Sequence, residues 1–204
     1  MTSQLSRRAA LRLASAVPLL SLPATAWASD DPRLGDVVLG DENAPVTVIE
    51  YASFTCPHCG SFHQNTWPQF KENYVDTGKV RFIMREVYFD KYGLWASMIS
   101  RCGGHGGFYP MVDQFLKRQS EWTGVPEPQV ADEIRKIGKV NGLSPQLMDD
   151  CLADQEFATA LFEGYRTNAQ ADDVSSTPTF IINGEKATGA MGYAEFSALV
   201  DKHL

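Results

Sequence analysis

The chain has 204 residues, 44% of them hydrophobic and 21% charged, with a formal net charge of −7. That length holds one domain of ordinary size plus a short targeting segment, and the composition excludes a disordered chain. The acidic balance, with no Lys/Arg run, argues against nucleic acid as a partner.

In chain order, Ser6-Arg7-Arg8 gives a positive start, Leu13 to Ala26 is mostly apolar, and Ala26-Trp27-Ala28 fits a cleavage site. Residues 1–28 therefore read as a signal peptide. The apolar run is too short for a membrane anchor and is broken by Pro18 and Pro23. Ser6-Arg7-Arg8-Ala9-Ala10-Leu11-Arg12 is also similar to a twin-arginine signal, with Ala10 where that pattern prefers Phe. Export would place Cys56, Cys59, Cys102 and Cys151 where disulfide chemistry is favoured over metal ligation.

Residues 29–44 form a polar lead-in with one short strand predicted at Asp36–Leu39. Val46 to Ala52 is a β-branched run, a buried strand. Thr55 or Cys56 can cap the helix that follows, predicted from Cys56 towards Val75 with a break near Trp67. The break is expected because Pro68 cannot donate to Gln64. Val80–Val87 is a second strand. Helical periodicity then covers Leu94–Gly103, Phe108–Trp122, Pro128–Val140 and Ser144–Ala171. Ser144-Pro145 is a helix start, and Asp154-Gln155 is a candidate restart. Thr179–Asn183 and Lys186–Thr188 are strands joined through Asn183-Gly184, a strong hairpin signal. Tyr193–His203 closes as a helix. The order is βαβ, a helical block, then ββα, an α/β chain whose sheet is interrupted by helices.

Cys56-Pro57-His58-Cys59 sits where a buried strand hands over to a helix. The first helical turn has free N–H groups and a positive dipole end, which stabilise a thiolate at Cys56. Thiolate is the attacking form in disulfide exchange, and Cys59, one turn on, can resolve a mixed disulfide. The dipole supplies about 0.3–2 kcal/mol, whereas lowering a thiol by about three units needs about 4 kcal/mol. Hydrogen bonds to the sulfur must add the rest. Candidates are the His58 and Cys59 amides, the Cys59 thiol and the His58 ring, while Pro57 fixes φ at the helix start. Two other readings of the pair stay open. Cys56-x2-Cys59-x3-His63 has ligands one helix turn apart, as a metal half-site would, although His63 reads first as an ordinary helix residue. A purely structural CxxC disulfide would constrain little chain.

Glu50-Tyr51-Ala52-Ser53-Phe54-Thr55-Cys56-Pro57-His58-Cys59 resembles the active-site segment of DsbA-type oxidoreductases. Ser175-Ser176-Thr177-Pro178-Thr179-Phe180 resembles their second motif. The resemblance covers about residues 36–204 and is of the alphaproteobacterial type. It implies a thioredoxin-like fold with an inserted helical domain, built from 45–89 and 172–204 around 90–171. It implies periplasmic protein-disulfide oxidoreductase activity with no cofactor and no metal. Catalysis would fall to Cys56 and Cys59, supported by Pro57, His58 and Glu50. Thr177 and a cis-Pro178 would bind substrate through main chain. The implied partners are reduced, unfolded exported proteins and a membrane quinone-linked reoxidant of DsbB type.

Glu50, amid Val48, Ile49 and Tyr51, is costly as a carboxylate unless neutral or solvated. It is a candidate proton carrier for Cys59. Thr177 stands where the best-known DsbA pattern has Val and is shared with some isomerases, so an isomerase or reductase is the second reading. A non-catalytic thiol or metal-binding module is a third. Cys102 and Cys151, 49 positions apart, either bond as a structural disulfide, stay free, or form a second redox pair. Closing that loop is worth roughly 4 kcal/mol in the chain-entropy model.

Overall fold

The computed structural model describes residues 31–204. The signal-peptide reading and the first residues of the lead-in lie outside the described residues.

Among the described residues, five strands form one sheet in the order β1-β3-β2-β4-β5. They are β1 (Val38–Leu39), β2 (Val46–Ala52), β3 (Val80–Glu86), β4 (Thr179–Ile182) and β5 (Glu185–Thr188). β2 and β3 are parallel with Glu50 opposite Met84. β4 lies antiparallel on the other side of β2, with Phe180 opposite Glu50. β1 pairs antiparallel with β3, and β5 with β4. The β4–β5 turn is the two-residue Asn183-Gly184 link, whose φ values of 46° and 91° suit those residue types.

Period-two alternation sends Val46, Val48, Glu50 and Ala52 to one face of the sheet and Ile49 and Tyr51 to the other. On the first face lies the helix α1 (Pro57–Asn65), followed by the short α2 (Trp67–Phe70) and a wide turn at Lys71–Val75. The interruption falls at Thr66, whose N–H still reaches the Phe62 carbonyl at 2.9 Å. Two residues on, Pro68 has no N–H to donate, and α1 ends at Asn65, two residues before the break predicted near Trp67. Phe62, Phe180 and Phe196 pack with centroids 4.6–5.1 Å apart beneath α1. Burial of each such ring contributes about 1.5–3 kcal/mol.

Between β3 and β4 run α3 (Lys91–Cys102), α4 (His105–Lys117), α5 (Gln119–Thr123), α6 (Glu127–Val140), α7 (Pro145–Ala153) and α8 (Gln155–Ala171); α9 (Tyr193–Asp201) closes the chain. α3 starts three residues before the predicted Leu94. Asp90 caps it, its Oδ1 accepting from the Tyr92 and Gly93 amides at 2.8 and 2.9 Å. The single helix predicted over Phe108–Trp122 is two, because the backbone leaves helical geometry at Arg118. Ser144 and Asp154 both cap helices, accepting from the amides of Leu147 and Phe157. Among the described residues, no helix is long and apolar enough to cross a membrane.

Candidate active site

Cys56 occupies the N-cap position of α1. Thr55, the other predicted cap, instead donates to Asp90 Oδ2 at 2.6 Å and ties the site to the start of α3. Pro57 follows at the first helical position. Cys56 and Cys59 both carry free thiols, and both are buried.

The Cys56 thiol is held at about 5, against an ordinary value of 9. The largest cause is a hydrogen bond from the Cys59 thiol. Burial opposes it, and the Thr177 side chain and the amides of Cys59 and His58 reinforce it. Three of the four donors expected from sequence act here. The fourth does not: the His58 ring is exposed and makes no hydrogen bond to the sulfur. Thr177, 121 positions away in the chain, was not foreseeable as a donor. Cys59 moves the other way. Its hydrogen bond to Cys56, its burial and the charge of Glu50 all hold its proton on. One sulfur is prepared to be anionic while the other stays protonated.

The Thr177–Pro178 peptide bond is cis. This turn faces the cysteine pair: in thiol form Cys56 Sγ donates to the Thr177 carbonyl at 3.5 Å. Thr177 thus presents main chain beside the reacting sulfur.

Two contacts under the site were not foreseen from sequence. Glu50 is fully buried, but neither solvated nor alone. His63 Nε2 lies 2.8 Å from its Oε2, and the His63 ring is 1% exposed. His63 is thus a helix residue, as read from sequence, whose buried ring is bonded to Glu50. It sits four positions after Cys59, on the same face of α1, which turns it onto β2. The Cys59-x3-His63 spacing was the visible signal, but the partner it selects is Glu50. Among the described residues, no three His, Cys, Asp or Glu side chains group as metal ligands would. The second contact is made by Gln119 at the start of α5. Its Nε2 donates to the carbonyls of Phe54 and Cys56 at 2.7 and 2.9 Å, clamping the strand-to-helix bend. Gly60 makes room for it: a Cβ there would lie 2.7 Å from Gln119 Oε1.

Cys102, at the end of α3, and Cys151, in α7, are disulfide-bonded with Cα atoms 6.1 Å apart. Beside them Arg101 is buried against Glu86, with Nη2 to Oε2 at 2.7 Å. It also donates to the carbonyls of Arg33 and Gly35.

A five-stranded mixed sheet, a CxxC pair at a helix N-terminus and a cis-proline turn facing it define a thioredoxin-fold dithiol protein. Residues 33–202 match the thioredoxin family profile, and the chain belongs to that family. Its relatives place it with the DsbA-type members. A Rickettsia bellii protein named as a protein-disulfide oxidoreductase is 32% identical over 170 residues, covering 83% of this chain and 64% of the relative. The chain thus spans about three fifths of the length of the curated relatives it matches. The crystal structure of Wolbachia pipientis alpha-DsbA1 superposes with a TM-score of 0.75 at 27% identity, covering 90% of this chain and 92% of that one. Oxidised BdbD from Bacillus subtilis shares the fold, with a TM-score of 0.69 at 22% identity over 82% of this chain and 92% of that one.

Proposed function

We propose that this chain is a periplasmic protein-disulfide oxidoreductase that donates the Cys56–Cys59 disulfide to exported proteins. The observation that carries this is the opposed state of the two sulfurs, Cys56 low and Cys59 high. A stabilised Cys56 thiolate stabilises the reduced form, which makes the disulfide form oxidising.

A substrate thiolate attacks Cys56 Sγ, the Cys56–Cys59 bond breaks, and its electron pair leaves on Cys59. The second substrate thiol then attacks the substrate sulfur of the mixed disulfide. Cys56 departs as a thiolate, eased by its low proton affinity. Backbone at Thr177, next to Pro178, pairs with the substrate main chain, which suits clients of unrelated sequence. Pro57 and the His58 amide shape the thiolate's helix end. Cys102–Cys151 holds α3 to α7 as a structural staple. Turnover calls for a membrane reoxidant of DsbB type, and the signal-like segment at 1–28 supports export.

Two measurements test this. Oxidised protein should regain activity from a reduced, unfolded disulfide client, and Cys56→Ser should abolish this. The Cys56–Cys59 reduction potential should be well above thioredoxin's roughly −270 mV. A value near thioredoxin's would overturn the oxidase reading in favour of a reductase. Thr177 before Pro178 favours the isomerase as the second reading. Faster rescue of scrambled than of reduced client would select it.

A further inference from the structure

Tyr51 holds both ends of the loop that carries Thr177 and Pro178. Its main chain lies in the β2–β4 ladder opposite Thr179, the residue after Pro178. Its ring is fully buried on the face of the sheet away from α1. There its hydroxyl donates to Oδ2 of Asp172, the C-cap of α8 and the first residue of the loop. The Asn168 carbonyl lies 3.1 Å from the same oxygen. One hydroxyl proton serves one acceptor at a time, and Asp172 is the nearer.

Arg85 fixes that hydroxyl from β3. It stands opposite Tyr51 in the parallel β2–β3 pairing. Its Nη1 donates to the Tyr51 hydroxyl at 2.7 Å and to Asp172 Oδ2 at 3.1 Å. Its other edge is taken by Asp36, at 2.9 and 3.0 Å. Burial and the Asp172 contact push the Tyr51 phenol up to about 12, so it keeps its proton at neutral pH. Between the two anchors Ser175 and Ser176 are exposed, and the Thr177 carbonyl stands 3.5 Å from Cys56 Sγ. Lys186 also reaches the loop, donating to Asp173. It does so from an exposed side chain on the edge strand β5, which tethers the loop without fixing it.

We propose that Tyr51 is a positioning residue for client binding: its hydroxyl seats the end of α8 on β2 through Asp172, and so fixes where the Thr177 main chain stands beside Cys56. This rests on the oxidoreductase reading, in which that main chain pairs with the client. A loop pinned at one end keeps many conformations. Pinning both ends removes them before the client arrives, so pairing costs less ordering. The same β2 strand runs on towards Cys56, which sets the loop and the reacting sulfur on one frame.

The test compares two reductants of the oxidised protein. A reduced, unfolded two-cysteine peptide offers thiols and main chain, whereas dithiothreitol offers thiols alone. Samples are acid-quenched at intervals, alkylated and weighed, so that loss of the Cys56–Cys59 disulfide gives a rate for each reductant. Tyr51→Phe keeps the buried ring and removes only the hydroxyl. Its peptide-to-dithiothreitol rate ratio should fall about fivefold or more. Asp172→Ala should lower the ratio likewise, and the double variant should fall no further than the lower single variant. A Tyr51→Phe ratio equal to that of wild type overturns the proposal, and so does a double variant whose losses multiply. A merely structural role would move the urea midpoint and leave the ratio in place. Should Tyr51→Phe fail to fold, Asp172→Ala decides by the same ratio, since that side chain is 28% exposed. If wild type reacts with neither reductant, the oxidoreductase reading falls and the proposal with it. If both react and the ratio ignores Tyr51, only the role of Tyr51 falls.

Discussion

The low proton affinity of Cys56 makes the stability of the reduced protein depend on pH, and Cys56→Ser is the perturbation that exposes this. The folded thiol sits at about 5 against an ordinary value of 9. Because the folded value is the lower one, the stabilisation is complete above the unfolded value. It fades as pH falls and is gone below the folded value. Four units correspond to about 5 kcal/mol between thiol and thiolate, of which roughly half, about 2.7 kcal/mol, is expressed at pH 7. Cys56 keeps slight solvent exposure, so screening reduces this to about 2 kcal/mol. Urea unfolding of reduced wild type and reduced Cys56→Ser, followed by circular dichroism, should differ by about that amount at pH 7. The two should converge by about pH 4.5. Thiolate absorbance should titrate near 5 and vanish in the variant. A midpoint near 8.5, or a stability difference unchanged between the two pH values, would refute the reasoning.

Other outcomes follow from the same geometry. Cys59→Ala removes the largest contribution to the Cys56 thiolate, a hydrogen bond to a charged group worth about 1.5–3 kcal/mol. The absorbance midpoint should rise by about one to two units. Gln119→Leu leaves the Phe54 carbonyl unpaired, while the Cys56 carbonyl keeps the Gly60 N–H, and should cost about 1–3 kcal/mol in urea unfolding. Gly60→Ala should displace the same side chain by steric contact and lower the melting temperature in the same direction. Arg101→Met strands a buried Glu86 and should cost about 3–5 kcal/mol at pH 7. Cys102→Ser with Cys151→Ser opens a 49-position loop and should lower stability by up to about 4 kcal/mol. An unchanged urea midpoint would show that this bond constrains nothing.

Much of the molecule was legible in its sequence because the signals were local. The alternation Val46, Val48, Glu50, Ala52 marks one buried face of β2 and puts an acid on it. Asn183-Gly184 specifies a two-residue turn by its tolerance of positive φ. Pro68 forbids a hydrogen bond and so ends α1. The CxxC pair at a strand-to-helix handover already implied one stabilised thiolate, and the amide donors were countable from the helix start. Helix ends were less legible, as at Arg118, because capping and packing compete within a residue or two.

What tertiary structure decided was which distant groups meet. Thr177 reaches Cys56 from 121 positions away, and Gln119 reaches its carbonyl from 63. No periodicity encodes such meetings. They depend on how β4 returns beside β2 and how α5 packs on the bend. Glu50 and His63 show the division most plainly. The sequence determined that the acid is buried and that His63 shares a helix face with Cys59. Only the packing of α1 across β2 made them partners. A buried carboxylate accepts whichever donor the fold brings within 3 Å.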